Sequence, residues 1–215
     1  MGGEPWHGRC ADGVAVGLTS RSNTQRGFSL MEIMLVLAVT GVVAAIAVPM
    51  MANNLAYYRL SGDARSTANA TGLAKMRAAS VFGRERLYVD LGARTFHLET
   101  WDKPTSAWLA DGAAASLSQN VTYSFGVVGT APPNTQAVIG QSPACKNNAG
   151  TADIANTACI IFNSRGLPID STGQPFVYGL YLTDGISVYA ITASATGTVR
   201  TWRTRSVAGP TWTLQ

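Results

Sequence analysis

The most apolar part of the chain is a single run near the N-terminus. Phe28 to Met51 comprises 24 residues with one charge, that of Glu32. Such a run is long enough to span a hydrocarbon core of about 30 Å as a helix. Arg21 and Arg26 precede the run and no basic cluster directly follows it. This asymmetry predicts a membrane-spanning helix over 28–51, with its N-terminus in the cytoplasm and the rest of the chain exported.

After Pro49 the apolar residues recur at helical spacing, with polar residues between them. We therefore expect an amphipathic helix over 52–83 that ends at Gly83. Its apolar series is Leu55, Leu60, Ala64, Ala68, Leu73 and Met76.

Short alternating runs replace the helical pattern after Gly83, and they predict an α+β chain with an antiparallel β-rich head over 84–215. Asp184-Gly185 between two such runs predicts a hairpin. The Gly-, Pro- and Asn-rich stretch Gly129–Ala155 predicts a long surface loop. The expected strands are Arg86–Asp90, Thr95–Thr100, Val121–Val127, Ala158–Phe162, Val177–Thr183, Ile186–Ala193 and Thr198–Thr204.

A secretory signal peptide is the alternative interpretation of the N-terminal run. Its cleavage site would follow the apolar core at small residues, and Ala44 to Ala47 could provide one. Two features argue against it: the run is longer than a typical signal core, and Glu32 lies in its first turn. A carboxylate at membrane depth is costly unless it has a partner, so Glu32 is a functional candidate.

The segment Arg26-Gly27-Phe28-Ser29-Leu30-Met31-Glu32 resembles the prepilin peptidase site of type IV pilins and type II secretion pseudopilins. The resemblance implies that residues 1–27 are a leader, that prepilin peptidase cleaves after Gly27 and that the new N-terminal Phe28 is methylated. Glu32 matches the family's glutamate at the fifth mature position. Pro49 falls where the family commonly has a helix-kinking proline.

The chemistry of the first turn agrees with this resemblance. Residues 28 and 32 are one helical turn apart, and in a filament the Glu32 carboxylate can meet the Phe28 ammonium of the neighbouring subunit. Pro49 is expected to bend or locally melt the helix. The implied product is a single-pass inner-membrane protein with a periplasmic head, whose partners are other pilins or pseudopilins and the inner-membrane assembly platform. Because the leader is long for a pilin, translation from Val16 or Leu18 is a further hypothesis.

Three cysteines divide between the predicted leader and the head. Cys10 lies in the leader, which leaves Cys145 and Cys159. In an exported head these two predict a disulfide, which stabilises a short loop by roughly 3 kcal/mol in the chain-entropy model. A zinc site is the rival interpretation, but after the leader the only histidine is His97, far away in sequence.

The head carries a second resemblance. Ile160-Ile161-Phe162-Asn163-Ser164-Arg165-Gly166-Leu167-Pro168, with the pattern Phe-x-x-x-Gly-x-Pro, is similar to an element of the GspH/FimT minor pilin family. The following hairpin of Gly179–Thr183 and Ile186–Thr192, and then Ala195-Thr196-Gly197-Thr198-Val199-Arg200, resemble the C-terminal part of that family. These elements imply a minor pilin or pseudopilin. The middle of the head is not covered by this resemblance.

Composition and motifs indicate no enzyme, no metal and no cofactor. The chain is 47% hydrophobic and 13% charged, against about 25% charged in ordinary soluble domains. A Ser-His-Asp arrangement would depend on His97 alone, and a place on a strand face is the simpler expectation for that residue. No phosphate loop and no His-Glu-x-x-His motif occurs in the sequence.

The C-terminal strand mixes arginine with tryptophan, at Arg200, Trp202, Arg203 and Arg205, and no acidic residue follows Asp184. This pattern suits nucleic-acid phosphates and bases, and in FimT-like relatives the region resembles a DNA-uptake element. On a strand, however, Arg200 and Trp202 face one way and Arg203 and Arg205 the other. The alternative is a solvated strand whose Trp202 packs on the sheet.

Two hypotheses follow from these patterns. The first is a structural subunit at the tip of a type IV pilus or type II secretion filament that primes assembly. The second is a FimT-like minor pilin that binds DNA during natural transformation.

Overall fold

The computed structural model describes residues 27–215, without the side chains of Pro49, Ala52 and Asn53. Residues 1–26, which include Cys10 and nearly all of the predicted leader, lie outside the described part. Over the described residues the chain divides into two compact units, with the boundary between Ile46 and Ala47.

One helix, α1, runs from Leu30 to Ser80. The helical assignment is continuous through position 49, so the predicted local melting at Pro49 does not occur in this structure. The helix ends three residues before the predicted Gly83. Phe82 takes the left-handed conformation (φ 49°), and the Gly83 N–H donates to the Ala78 carbonyl at 3.1 Å. Phe82 therefore has the C-cap role that is usual for glycine.

The head contains two antiparallel sheets of four strands each. The first has the strand order β3-β2-β1-β4 and the second has the order β5-β6-β7-β8. This architecture confirms the predicted α+β fold. The strands are β1 Glu85–Asp90, β2 Thr95–Asp102, β3 Ala107–Ser116, β4 Thr157–Phe162, β5 Tyr178–Thr183, β6 Ser187–Ala193, β7 Val199–Arg205 and β8 Thr213–Leu214.

The second half of α1 shares one hydrophobic core with both sheets. Leu60 of the helix, Leu87 of β1 and Ile191 of β6 are fully buried in it. Each such aliphatic side chain stabilises the fold by about 1.5–3 kcal/mol. The core therefore joins the helix to both sheets.

A smaller core covers the other face of the second sheet, and the sequence did not predict it. Tyr181, Val188 and Trp202 from the sheet are buried there together with Val128 from the long connection before β4. The predicted strand Val121–Val127 is wrong, because this segment makes one isolated bridge, between Thr122 and Thr183. Its apolar residues cover the sheets instead of extending one.

The long connection is also less exposed than predicted. Ser142 and Cys145 are buried, and the Gln141 side chain bonds the edge of β5: its Nε2 donates to the Tyr181 carbonyl and its Oε1 accepts from the Tyr181 N–H, both at 2.9 Å. A backbone edge that would otherwise be open is thereby closed by a side chain. The predicted surface loop is a packed cover over part of its length.

A buried carboxyl group lies at the start of β1. Glu85 is 1% exposed; its Oε1 accepts a hydrogen bond from the Thr100 hydroxyl, while its Oε2 has no partner among the described residues. Desolvation raises the pKa of Glu85 above its ordinary value. Because the folded pKa is raised, the contribution of Glu85 to stability is present at low pH and is lost as the pH rises through that pKa.

Candidate functional site: the pilin-type N-terminus and the head

The predicted processing segment leads directly into α1. Gly27 and Phe28 precede the helix and are exposed, with Phe28 at 78%. The Ser29 hydroxyl accepts a hydrogen bond from the Glu32 N–H at 3.1 Å, which makes Ser29 the N-cap. This cap was not predicted, although the Ser-x-x-Glu spacing from Ser29 to Glu32 is the usual capping-box pattern and signals it. The helix therefore begins two residues beyond the predicted mature N-terminus, at Leu30.

Glu32 lies on the first turn beside an apolar surface. Phe28, Ile33, Val36 and Leu37 surround it on the same side of the helix. Among the residues that the structure describes, no cation lies within ion-pair distance of its carboxylate. The Glu32 carboxylate lies near the helix N-terminus, where the helix dipole stabilises a negative charge. It remains available for a cation from outside the chain.

The helix that follows is apolar and exposed. Over the described residues one helical segment, Leu30–Val48, is long and apolar enough to cross a membrane, and none of it is buried. Exposed side chains of this kind over 19 residues are unusual for a soluble surface and normal for a helix in lipid. A membrane anchor accounts for the exposure.

Cys145 and Cys159 form the predicted disulfide, which is confirmed. Both residues are buried, and the Cys145 N–H donates to the Thr157 hydroxyl at 3.0 Å. His97 lies on β2, where its ring stacks on Tyr88 with centroids 4.9 Å apart and its Nε2 is 3.1 Å from Glu99. Within residues 27–215 no group of three His, Cys, Asp or Glu side chains is placed to hold a metal ion.

The two GspH/FimT-like elements meet at one point of the head. The first forms a tight turn after β4, in which the Asn163 side chain accepts hydrogen bonds from the N–H groups of Arg165 and Leu167. Gly166 in this turn has φ 69°, and a Cβ on it would come 3.1 Å from the side chain of Lys75. The glycine thus lets the turn approach α1.

The second element completes the same junction. Gly197 lies in the turn between β6 and β7 with φ 81°, and a Cβ on it would lie 2.7 Å from the Gly166 carbonyl oxygen. The Lys75 ammonium donates to the Gly197 carbonyl at 2.7 Å. Both turns and the helix therefore meet at Lys75. Glycine is required at positions 166 and 197 because the backbone is left-handed there and a side chain would collide with its neighbours.

The C-terminal residues predicted to bind DNA lie on two faces of β7. Trp202 is 9% exposed in the smaller core, and its indole N–H donates to the Thr192 hydroxyl at 3.0 Å. The alternative prediction, that Trp202 packs on the sheet, is the one the structure follows. Arg200 shares this face and is exposed at the sheet margin, beside Thr196 and Thr198.

Arg203 faces the helix side instead. Its guanidinium lies over the rings of Tyr57 and Tyr189, at 4.7 Å and 6.0 Å. Arg65 of α1 and Tyr189 line a common surface depression. The charges of Arg65 and Arg203 both act on the Tyr189 phenol. Burial raises the pKa of Tyr189 to about 12, so it stays protonated at neutral pH. Arg205 is exposed on this face of the strand by alternation.

Comparison with known proteins agrees with the N-terminal assignment. Residues 22–48 match the family model described as the prokaryotic N-terminal methylation motif. No curated protein matches the chain. Two solved structures of the minor pseudopilin EpsH from the type 2 secretion system of Vibrio cholerae are similar, at 13% and 14% identity with TM-scores of 0.43 and 0.41. They cover 66% and 71% of this chain and 95% of their own.

The motif, the exposed apolar helix and the α+β head together define the class. The chain is a type IV pilin-like protein, as the sequence predicted. Its N-terminal helix has the length and composition of a membrane anchor.

Proposed function

We propose that the chain is a minor pilin or pseudopilin, a structural subunit of a type IV pilus or a type II secretion filament. One observation carries this proposal: the methylation motif over residues 22–48 contains the exposed apolar segment Leu30–Val48, and this segment is one unbroken stretch of helix. A secretory signal would end at Ala44 to Ala47, in the middle of a continuous helix. The two GspH/FimT-like turns at Lys75 support a minor subunit of that type.

In this proposal, processing creates the charge that assembly uses. Cleavage after Gly27 by prepilin peptidase exposes the ammonium of Phe28, which is then methylated. The ammonium of one subunit pairs with the Glu32 carboxylate of the next, and the pair removes two isolated charges from an apolar helix bundle. Since the pairing has one geometry, it also fixes the axial position of each subunit.

The proposed function also implies where the protein is located and which proteins it contacts. Before assembly the protein lies in the inner membrane with a cytoplasmic N-terminus, and its head is periplasmic, where the Cys145–Cys159 disulfide is stable. Its partners are other pilins or pseudopilins, the assembly platform and prepilin peptidase. A place at the filament tip, where it primes assembly, predicts far fewer copies than the major subunit.

The first test is the mass of the mature chain. Protein extracted from membranes is expected to begin at Phe28 and to carry one added methyl group, whereas protein from a strain without prepilin peptidase keeps residue 27 and the leader. Intact-mass spectrometry of both samples distinguishes the two forms. A mature N-terminus at or beyond Ala44 would mean an ordinary secretory signal and would refute the pilin interpretation.

A second candidate function is DNA binding during uptake. One observation favours it: Arg203 and Arg205 lie on the face of β7 that is directed towards α1, and Arg65 of α1 acts electrostatically on the same Tyr189 phenol as Arg203. Basic groups from two elements are therefore present on this side of the head. Guanidinium groups placed together suit neighbouring phosphates. Arg200 lies on the opposite face, and Trp202 is buried in the smaller core, so neither joins this group.

Salt dependence tests this candidate. Three phosphate contacts predict a slope of about −2.7 for the logarithm of the binding constant against that of the salt concentration. For the full chain in micelles, the double variant Arg65→Gln with Arg205→Gln is expected to flatten the slope by about 1.8, while the matched control Arg200→Gln leaves it unchanged. Absence of duplex binding at low salt, or an equal effect of Arg200→Gln, would exclude this surface as the DNA site.

A further inference from the structure

The edge strand of the first sheet is open. β3 pairs with β2 on one side, and its sequence AWLADGAAAS contains neither lysine nor proline, the residues that commonly protect an edge. Leu109 and Ala110 are exposed, while the one charge, Asp111, pairs with Arg77 of α1. The edge strand therefore lacks the lysine or proline residues that would hinder pairing with a further strand.

The position of the open backbone groups can be assigned. The Trp108 N–H faces the open side, where it donates to the Asn148 side-chain oxygen at 3.1 Å. Backbone groups alternate in direction along an antiparallel strand, so the N–H and C=O of Ala110 face the same side. Among the described residues they have no hydrogen-bond partner. Gly112, with φ 93°, interrupts the regular strand beyond, so the open segment of β3 is the stretch around Ala110.

A cavity of about 200 Å³ adjoins this segment and is lined by Trp108 and by Asn148, the residue that bonds the Trp108 N–H. Arg86 forms part of its wall: the side chain is 3% exposed, pairs with Glu99, and its guanidinium lies 4.3 Å from the centre of the Trp108 ring. Arg86 is therefore already neutralised and held in place. The cavity combines an aromatic wall with hydrogen-bond donors.

Arg84 is the cation of this cavity that remains available. It is exposed, its guanidinium lies over the Trp101 ring at 5.1 Å, and no described carboxylate lies within ion-pair distance. Asp170 also lines the cavity, but its Oδ1 accepts hydrogen bonds from Thr172 and Gln174 within its own turn. A guanidinium held on an indole and free of partners suits a carboxylate from another chain.

We propose that the open segment of β3 and the adjoining cavity dock an extended, acidic segment of a neighbouring pilin-like subunit. The backbone of that segment pairs with Ala110, and one of its carboxylates binds Arg84. Trp108 and Ala110 project to the same face as their cross-strand partners Trp101 and Glu99, so a side chain added opposite them lies on the cavity side. The proposal rests on the proposed function, because only an assembled filament supplies such a neighbour.

Photo-crosslinking in cells that assemble the filament tests the docking. A photoreactive amino acid at position 110 is expected to crosslink to another pilin-like subunit, and mass spectrometry should map the link to an extended segment with an acidic residue. The same group at position 186, which is 69% exposed in the β5–β6 turn, serves as the positional control. Arg84→Gln should lower the yield about tenfold, which corresponds to about 1.4 kcal/mol, while Arg94→Gln at another exposed arginine leaves it unchanged.

Ala110→Pro tests the backbone pairing separately. It removes an N–H that makes no bond within this chain, so the melting temperature should change little, whereas crosslinking of the neighbour through a photoreactive group at position 109 should fall. Ala110→Thr keeps the N–H and is the matched control. If Ala110→Pro unfolds the head, the Arg84→Gln result decides.

The presence of Phe28-terminated chain in sheared filaments separates the two proposals. Incorporation without a crosslink at position 110, or with a link to a segment that lacks acidic residues, overturns the docking and leaves the proposed function intact. Failure to incorporate at all overturns both.

Discussion

Gly197→Ala is expected to destabilise the head by about 3 kcal/mol, a large part of the 5–15 kcal/mol that holds a typical domain folded. Two costs add. The new Cβ would lie 2.7 Å from the Gly166 carbonyl, and overpacking of this kind costs about 1–3 kcal/mol. The left-handed φ of 81° adds about 1–2 kcal/mol for a residue with a side chain. Thermal unfolding of the full chain in detergent micelles measures the loss.

Gly185→Ala is the matched control, because it separates the two costs. Gly185 has φ 89° and open space where a Cβ would lie, so its replacement carries the conformational cost alone. We expect a loss of about 1–2 kcal/mol there. Equal losses at the two glycines would show that the junction of the turns at Lys75 contributes nothing beyond backbone conformation.

The elements with a strong local pattern were predictable from the sequence. The apolar run over 28–51, the strands around Val89 and Ile191, and the Asp184-Gly185 hairpin each depend on periodicity or turn chemistry within a few residues. The processing segment was predictable for a related reason, since its chemistry lies in seven consecutive residues. The disulfide followed from the number of cysteines and the expected compartment.

What the sequence did not predict depends on contacts between distant segments. β3 was missed because its alanines and glycine have low strand propensity, and the strand exists through its pairing with β2. The segment Val121–Val127 has residues that favour a strand, yet its apolar side chains pack on the two sheets and it does not form a strand of either. Gly166 and Gly197 were recognised as family elements, but no local pattern shows that their turns meet at Lys75.

The candidate DNA residues show the same limit. Strand alternation correctly separated Arg200 from Arg203, because it is a property of the local backbone. It could not show that Tyr57, more than a hundred residues earlier, lies under the Arg203 guanidinium, or that Arg65 acts on the same Tyr189 phenol as Arg203. Nor could it show that Val128 and Trp212 complete the core around Trp202. A site built by two elements needs the fold before its members can be named.

Glu32→Ala is expected to abolish incorporation into filaments while leaving leader cleavage and membrane insertion largely intact. Cleavage requires the segment around Gly27, and insertion requires the apolar segment Leu30–Val48, which the substitution leaves in place. Incorporation loses its charge partner, so the Phe28 ammonium of the neighbouring subunit would be unpaired in an apolar bundle. An uncompensated buried charge costs about 3–5 kcal/mol, or roughly a hundredfold to several thousandfold in incorporation. Quantitative mass spectrometry of sheared filaments and of membranes measures both pools.

Ser29→Ala is the control that separates the charge from the helix start. It removes the N-cap hydroxyl that accepts the Glu32 N–H, at a cost of about 1 kcal/mol, but it keeps the carboxylate. Incorporation should therefore survive in Ser29→Ala and be lost in Glu32→Ala, although both substitutions alter the same turn. Loss in both variants would assign the requirement to the structure of the helix N-terminus. Normal incorporation of Glu32→Ala would remove the assembly role proposed for this carboxylate, since the apolar helix alone would then suffice to place the subunit in the filament.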